Sequence, residues 1–94
     1  LEAVTDRTRI IIITSPNNPT GNLATNQQIV RLLQTGALVV ADEAYFEFCN
    51  KTSVPLTGEF DNLIVLRTFS KWAGLAGLRI GYGIFPDLVG QQIW

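Results

Sequence analysis

Short apolar runs that stop abruptly at polar clusters set the rhythm of this chain. Ile10–Thr14 runs into Ser15-Pro16-Asn17-Asn18-Pro19-Thr20-Gly21, Ala37–Ala41 into Asp42-Glu43-Ala44-Tyr45, and Leu63–Leu66 into Arg67-Thr68-Phe69-Ser70-Lys71. Unbroken apolar runs of this length, rich in β-branched residues, are those of buried strands. The pattern predicts strands over Arg9–Thr14, Leu38–Ala41 and Asn62–Leu66, and a fourth over Leu78–Phe85. Between the first two strands the period changes. Ile29, Leu32 and Leu33 make one helical face, Thr25 and Gln28 form a capping-box pair, and Gly36 supplies the terminator. Phe46–Asp61, punctuated by Pro55 and Gly58, reads as irregular, and Pro86 opens a second helix over Asp87–Trp94. The order of elements is that of an α/β fold with a mostly parallel sheet.

Strands that carry polar groups only at their C-terminal tips are how such sheets build ligand sites. Each tip offers a different chemistry. Lys71 follows a strand end in a glycine-rich context rather than lying on a solvated helix, and an amine that forms Schiff bases must be partly desolvated, although taken alone it reads as an ordinary surface lysine. Asp42 closes an apolar strand, where a carboxylate needs a cation or a donor to meet it, and a protonated pyridine nitrogen is such a partner. Tyr45, three residues on, is placed to bond the phenolic oxygen of the same ring. Glu43 reads as solvated surface. Asn18 sits in a rigid Asn-Asn-Pro-Thr-Gly turn that serves as an amide donor or as a purely structural loop equally well. Thr68, Ser70 and Arg79 supply two hydroxyls and a guanidinium, a natural phosphate clamp, although a structural salt bridge is the alternative for Arg79 taken alone.

Composition narrows the field by exclusion. The 94 residues hold no histidine, which removes Ser-His-Asp and Cys-His nucleophile systems and His-based zinc sites from this stretch. The formal net charge of −1 provides no basic field for nucleic acid or an anionic membrane surface. No apolar stretch approaches the roughly 20 residues of a membrane span. The glycines at 74, 77, 81 and 83 match neither GxGxxG nor a P-loop. A single cysteine, Cys49, permits no internal disulfide and reads as small filler beside a loop, in keeping with a reducing, cytoplasmic setting. The chain begins at Leu1, contains no methionine and has more strand than its helices cover. It is therefore expected to be an interior slice of a larger enzyme.

Taken together, Ser15-Pro16-Asn17-Asn18-Pro19-Thr20-Gly21, Asp42-Glu43-Ala44-Tyr45 and the stretch from Ser70-Lys71 to Arg79-Ile80-Gly81 resemble the three signatures of class I/II aminotransferases, enzymes of pyridoxal phosphate fold type I. Asp42–Phe48 and Arg67–Arg79 look most like the histidinol-phosphate subgroup. The resemblance implies that Lys71 forms the Schiff base with pyridoxal 5'-phosphate, that Asp42 pairs with the pyridine nitrogen, that Asn18 and Tyr45 bond the phenolic oxygen, and that Thr68, Ser70 and Arg79 hold the phosphate. It further implies that residues 1–94 form the central part of the large cofactor-binding domain, with four adjacent strands, the last antiparallel. Transamination of histidinol phosphate with 2-oxoglutarate, in histidine biosynthesis, is the implied activity, with small amino and keto acids as partners and a homodimer as the assembly. Threonine-phosphate decarboxylases and aromatic or aspartate aminotransferases share the motifs. A non-catalytic relative or fragment is the reading from another class, and the presence of both Lys71 and Asp42 argues against it.

Overall fold

A computed structural model of the chain describes residues 2–93. Four strands, β1 (Ile10–Thr14), β2 (Leu38–Asp42), β3 (Leu63–Thr68) and β4 (Gly81–Ile84), form one sheet in their sequence order. β1 pairs with β2 and β2 with β3 in parallel, whereas β3 and β4 run antiparallel. The expected α/β architecture, with its closing antiparallel pair, is what the chain adopts.

Helix α1 (Asn26–Leu33) links β1 to β2. Its start is fixed as the sequence predicts. The Gln28 amide donates to Thr25 Oγ1 (3.2 Å) and the Thr25 amide to Gln28 Oε1 (2.9 Å), so two of the otherwise orphaned N–H groups are satisfied. Gly36 stands at φ +81°, a left-handed conformation that stops the helix and turns the chain into β2. The connection from β2 to β3 contains no α-helix. It holds two short 3-10 turns, Phe46–Phe48 and Val54–Gly58, within the stretch expected to be irregular.

The fourth strand is shorter than Leu78–Phe85. Ala76–Leu78 closes a 3-10 turn and Arg79 takes φ +55°, ψ +40°, so pairing with β3 begins only at Gly81. Arg79 Nη1 donates to the Ala76 carbonyl (3.2 Å), which holds that turn. Helix α2 (Asp87–Ile93) follows Pro86, and the expected last helical residue, Trp94, lies outside the described residues.

One sheet face is covered. Ile29 and Leu33 of α1, with Leu56, pack on Val39, Ala41, Leu63 and Val65, and burial of each large aliphatic side chain contributes about 2 kcal/mol. The opposite face carries Ile10, Ile12, Leu38, Val40, Ile64 and Leu66, aligned by the strand register. Ile64 on this face is buried, whereas Ile12 is 71% exposed. Apolar residues on both faces are what a parallel strand carries when both faces are meant to be covered.

Candidate active site

The tips of β1 and β2 finish level, and β3 runs two residues further, to Thr68. Thr14 is the register partner of Asp42, and Asp42 of Leu66. Two further backbone bonds extend the ladder past the strands, from the Ser15 amide to the Asp42 carbonyl and from the Glu43 amide to the Leu66 carbonyl, both 2.9 Å. The polar clusters therefore start from a rigid base. Because side chains alternate, Asp42 and Thr68 share the open face with Thr14, while Glu43 and Arg67 fall on the covered face.

The loop after β1 is pinned by Asn17 rather than Asn18. Asn17 Nδ2 donates to Thr14 Oγ1 (2.6 Å), its Oδ1 accepts from the Thr20 hydroxyl (2.9 Å), and its backbone bonds Gly21 and Asn22. The Ser15-Pro16 and Asn18-Pro19 peptides are both cis. This division of labour leaves the Asn18 amide free to point outward. It donates to the Tyr45 hydroxyl at 3.1 Å, joining groups from two motifs. A cavity of about 360 Å³ opens beside them, bordered also by Phe48 and Cys49. A larger concavity, about 1060 Å³, runs along β1 and α1 and contains neither Asp42 nor Lys71. The chemistry of the side chains, not the size of the hollow, marks the site.

Asp42 is half-buried. Its Oδ1 accepts from the Ala44 amide (3.0 Å), and its Oδ2 has no partner among the described residues. Lys71 Nζ lies 5.7 Å from the centre of the Tyr45 ring, on its face. Unlike the desolvated amine expected from the sequence, Lys71 is exposed, on the turn that follows β3. Thr68 donates to Ser70 Oγ (2.9 Å) and its own oxygen accepts the Ser70 amide (3.1 Å), which brings the two hydroxyls of the expected clamp side by side. Arg79 is exposed, and its one side-chain bond goes to the Ala76 carbonyl of its own turn. It makes no salt bridge among the described residues.

Glu43 corrects the sequence reading. Instead of a solvated surface residue it is 2% exposed. Its Oε1 accepts from the Ser53 amide (2.6 Å) and hydroxyl (2.8 Å), and its Oε2 from the Thr52 hydroxyl (2.8 Å) and from Arg67 Nη2 (3.0 Å) and Nε (3.3 Å). Arg67 Nη2 also donates to Thr52 Oγ1 (2.9 Å), and its guanidinium stacks 3.6 Å above the Phe46 ring. Burial works against the Arg67 charge. The influence of Tyr82, its register partner on β4, and the hydrogen bonds and negative charge of Glu43 outweigh it and hold the guanidinium above its ordinary range. The signal was present in the sequence. Counting by twos from Val39 through Ala41 to Glu43, and from Leu63 through Val65 to Arg67, puts both charges on the covered face of adjacent strands.

Residues 1–93 match the family model of aminotransferase class I and II. The chain belongs to this family. It is 53% identical over 93 residues to the histidinol-phosphate aminotransferase of Methanosarcina mazei, an alignment that covers 98% of this chain and 25% of that protein. It spans about a quarter of the length of the curated relatives it matches. Among solved structures, the Sinorhizobium meliloti histidinol-phosphate aminotransferase in complex with pyridoxal-5'-phosphate superposes with a TM-score of 0.74 at 33% identity, over 89% of this chain and 24% of that one. The L-threonine-O-3-phosphate decarboxylase of Porphyromonas gingivalis superposes as well, at 0.75 and 31% identity, over 89% of this chain and 27% of that one. Among the described residues, no helix is long and apolar enough to cross a membrane.

Proposed function

We propose that this chain is the central part of the cofactor-binding domain of a longer pyridoxal-phosphate aminotransferase that moves the amino group of histidinol phosphate to 2-oxoglutarate. The observation that carries the reading is the convergence of three separate motifs, with Asn18 bonded to Tyr45 and the Lys71 amine over the same tyrosine ring. The donor set fits the cofactor. Asp42 presents a half-buried carboxylate with one oxygen unclaimed, suited to a protonated ring nitrogen. Asn18 and Tyr45 offer an amide and a phenol for the ring's phenolic oxygen, and Thr68, Ser70 and Arg79 offer two hydroxyls and a cation for the phosphate.

When bound, pyridoxal phosphate supplies the electron sink that makes the proton on the amino-bearing carbon removable. The residues of the chain do the rest. Lys71 would hold the cofactor covalently and, once displaced by the substrate amine, would serve as the base that takes that proton and as the acid that delivers it to the cofactor carbon. Asp42 would keep the ring nitrogen protonated, and Thr68, Ser70 and Arg79 would hold the phosphate. The substrate assignment rests on relatives near 50% identity that bear the histidinol-phosphate name. A cytoplasmic homodimer accompanies this reading.

The full-length gene product carrying residues 1–94 tests it. With pyridoxal phosphate it should show a visible absorbance band that Lys71→Ala abolishes. Turnover with histidinol phosphate and 2-oxoglutarate should exceed that with threonine phosphate or aromatic amino acids. Preferential release of carbon dioxide from threonine phosphate would favour the decarboxylase to which the chain is also similar, and no band at all would defeat both.

A further inference from the structure

The buried cluster on the covered face touches none of the proposed cofactor groups, yet each of its members is a chain neighbour of one. Glu43 follows Asp42, Phe46 follows Tyr45, and Arg67 precedes Thr68. Through one guanidinium the tip of β3 is tied to the tip of β2, by the bonds to Glu43 Oε2, and to the 3-10 turn after it, by the stack on Phe46. Thr52 completes the arrangement. Its hydroxyl donates to Glu43 and accepts from Arg67, while Ser53 gives Glu43 two more donors. We propose that the Glu43–Arg67 ion pair, with Thr52, Ser53 and Phe46, is the positioning device for Asp42, Tyr45 and Thr68, fixing from beneath the sheet the spacing between the ring-nitrogen partner, the phenolic-oxygen partner and the phosphate hydroxyl. This rests on the cofactor reading above.

The geometry gives a physical reason for placing charges there. An apolar pair could fill the same volume, but it would leave the strand tips free to slide by the width of a side chain. A carboxylate that accepts five hydrogen bonds from three residues admits one arrangement only. Groups that must meet a rigid planar ring at three points gain from that restriction.

The test uses the full-length protein and two substitutions outside the cofactor's reach. Glu43→Gln keeps the shape and the Ser53 bonds and removes the charge. Thr52→Val is isosteric and removes the bridging hydroxyl, together with the bond that hydroxyl accepts from the Val54 amide (3.0 Å). Pyridoxal phosphate affinity is measured by equilibrium dialysis and the visible circular dichroism band is recorded, at a temperature where melting curves show each variant fully native. Under that condition a loss of global stability does not change Kd, and the cap variant Thr25→Ala serves as a destabilised control with unchanged affinity. Misplaced ligands should weaken binding about tenfold in Glu43→Gln and about threefold in Thr52→Val, with a smaller circular dichroism band in both. If every variant that folds keeps the wild-type Kd and band while its melting temperature falls, the cluster is structural and the proposal is overturned. Should Glu43→Gln fail to fold, Thr52→Val alone decides. A wild-type protein that binds no pyridoxal phosphate would count against the functional reading instead, before either variant is compared.

Discussion

Asn18 donates its side-chain amide to the Tyr45 hydroxyl across 3.1 Å, although 27 residues separate them in the chain. The contact exists because Asn17 takes over the work of holding the loop and because β1 and β2 end level, so the residues beyond them face one another. Two groups assigned to one oxygen atom of the cofactor are thus in contact before any ligand is considered.

If both groups serve that one oxygen, their losses should not add. In the full-length protein, Tyr45→Phe and Asn18→Ala should each weaken pyridoxal phosphate binding about fivefold, the worth of one hydrogen bond. The double variant should lose less than the product of the two, as coupled groups do. Fluorescence titration of the four proteins measures this, and strict additivity would show that the groups act on different atoms.

Removing the cation of the buried pair leaves a carboxylate stranded. Arg67→Leu should therefore destabilise the full-length protein by about 3 kcal/mol, measured by urea denaturation. Adding Glu43→Leu should recover only part of this, because the Ser53 amide and hydroxyl then lose their acceptor. A complete recovery would mean that those donors find other partners.

The pH dependence of that contribution follows from its direction. Arg67 is held above its ordinary range in the folded chain, so its stabilisation is fully present below the range of a free arginine and is lost only as pH rises through the raised value. Arg67 should thus add no slope to stability across neutral and mildly alkaline pH. Denaturation midpoints of wild type and the Arg67→Leu/Glu43→Leu double variant, compared over that window, should run parallel.

At Gly81, where β4 meets the end of β3, a side chain has no room. A Cβ there would lie 2.7 Å from the Arg67 carbonyl oxygen, a backbone atom that cannot yield without moving β3. Gly81→Ala should cost about 2 kcal/mol and displace Thr68, its register partner. Gly36→Ala, in open space but at φ +81°, should cost about 1 kcal/mol with no effect on cofactor affinity. Melting curves and dialysis on the two variants separate the cases.

The isolated 94-residue polypeptide should associate through its open sheet face. Ile10 and Ile12 stand out on β1, an edge strand in this sheet whose outer N–H and C=O groups are also free to pair. Sedimentation should show large species whose abundance drops in Ile12→Lys. A monodisperse wild-type chain that unfolds cooperatively would contradict this.

The elements that follow strict periods were legible in the sequence. Strand runs, the Thr25–Gln28 box and Gly36 are local signals with local causes, and they lie where the pattern put them. The antiparallel last strand came from family resemblance rather than from periodicity. Its late start was hidden, because nothing in the composition of Ala76–Arg79 says that the segment turns before it extends. Asn18 meets Tyr45 and Thr68 meets Ser70, while Lys71 and Arg79 are exposed. Glu43 was misread because the identity of a residue suggested solvent while its parity along β2 demanded the interior.

That parity has an evolutionary edge to it. Two adjacent acids, at positions 42 and 43, look out of opposite sides of one sheet, one toward chemistry and the other toward masonry. A single inserted or deleted residue in the preceding strand would exchange them, leaving composition almost untouched while seating the wrong carboxylate in each room. Drift in this segment is therefore expected to proceed by replacement and never by a change of length.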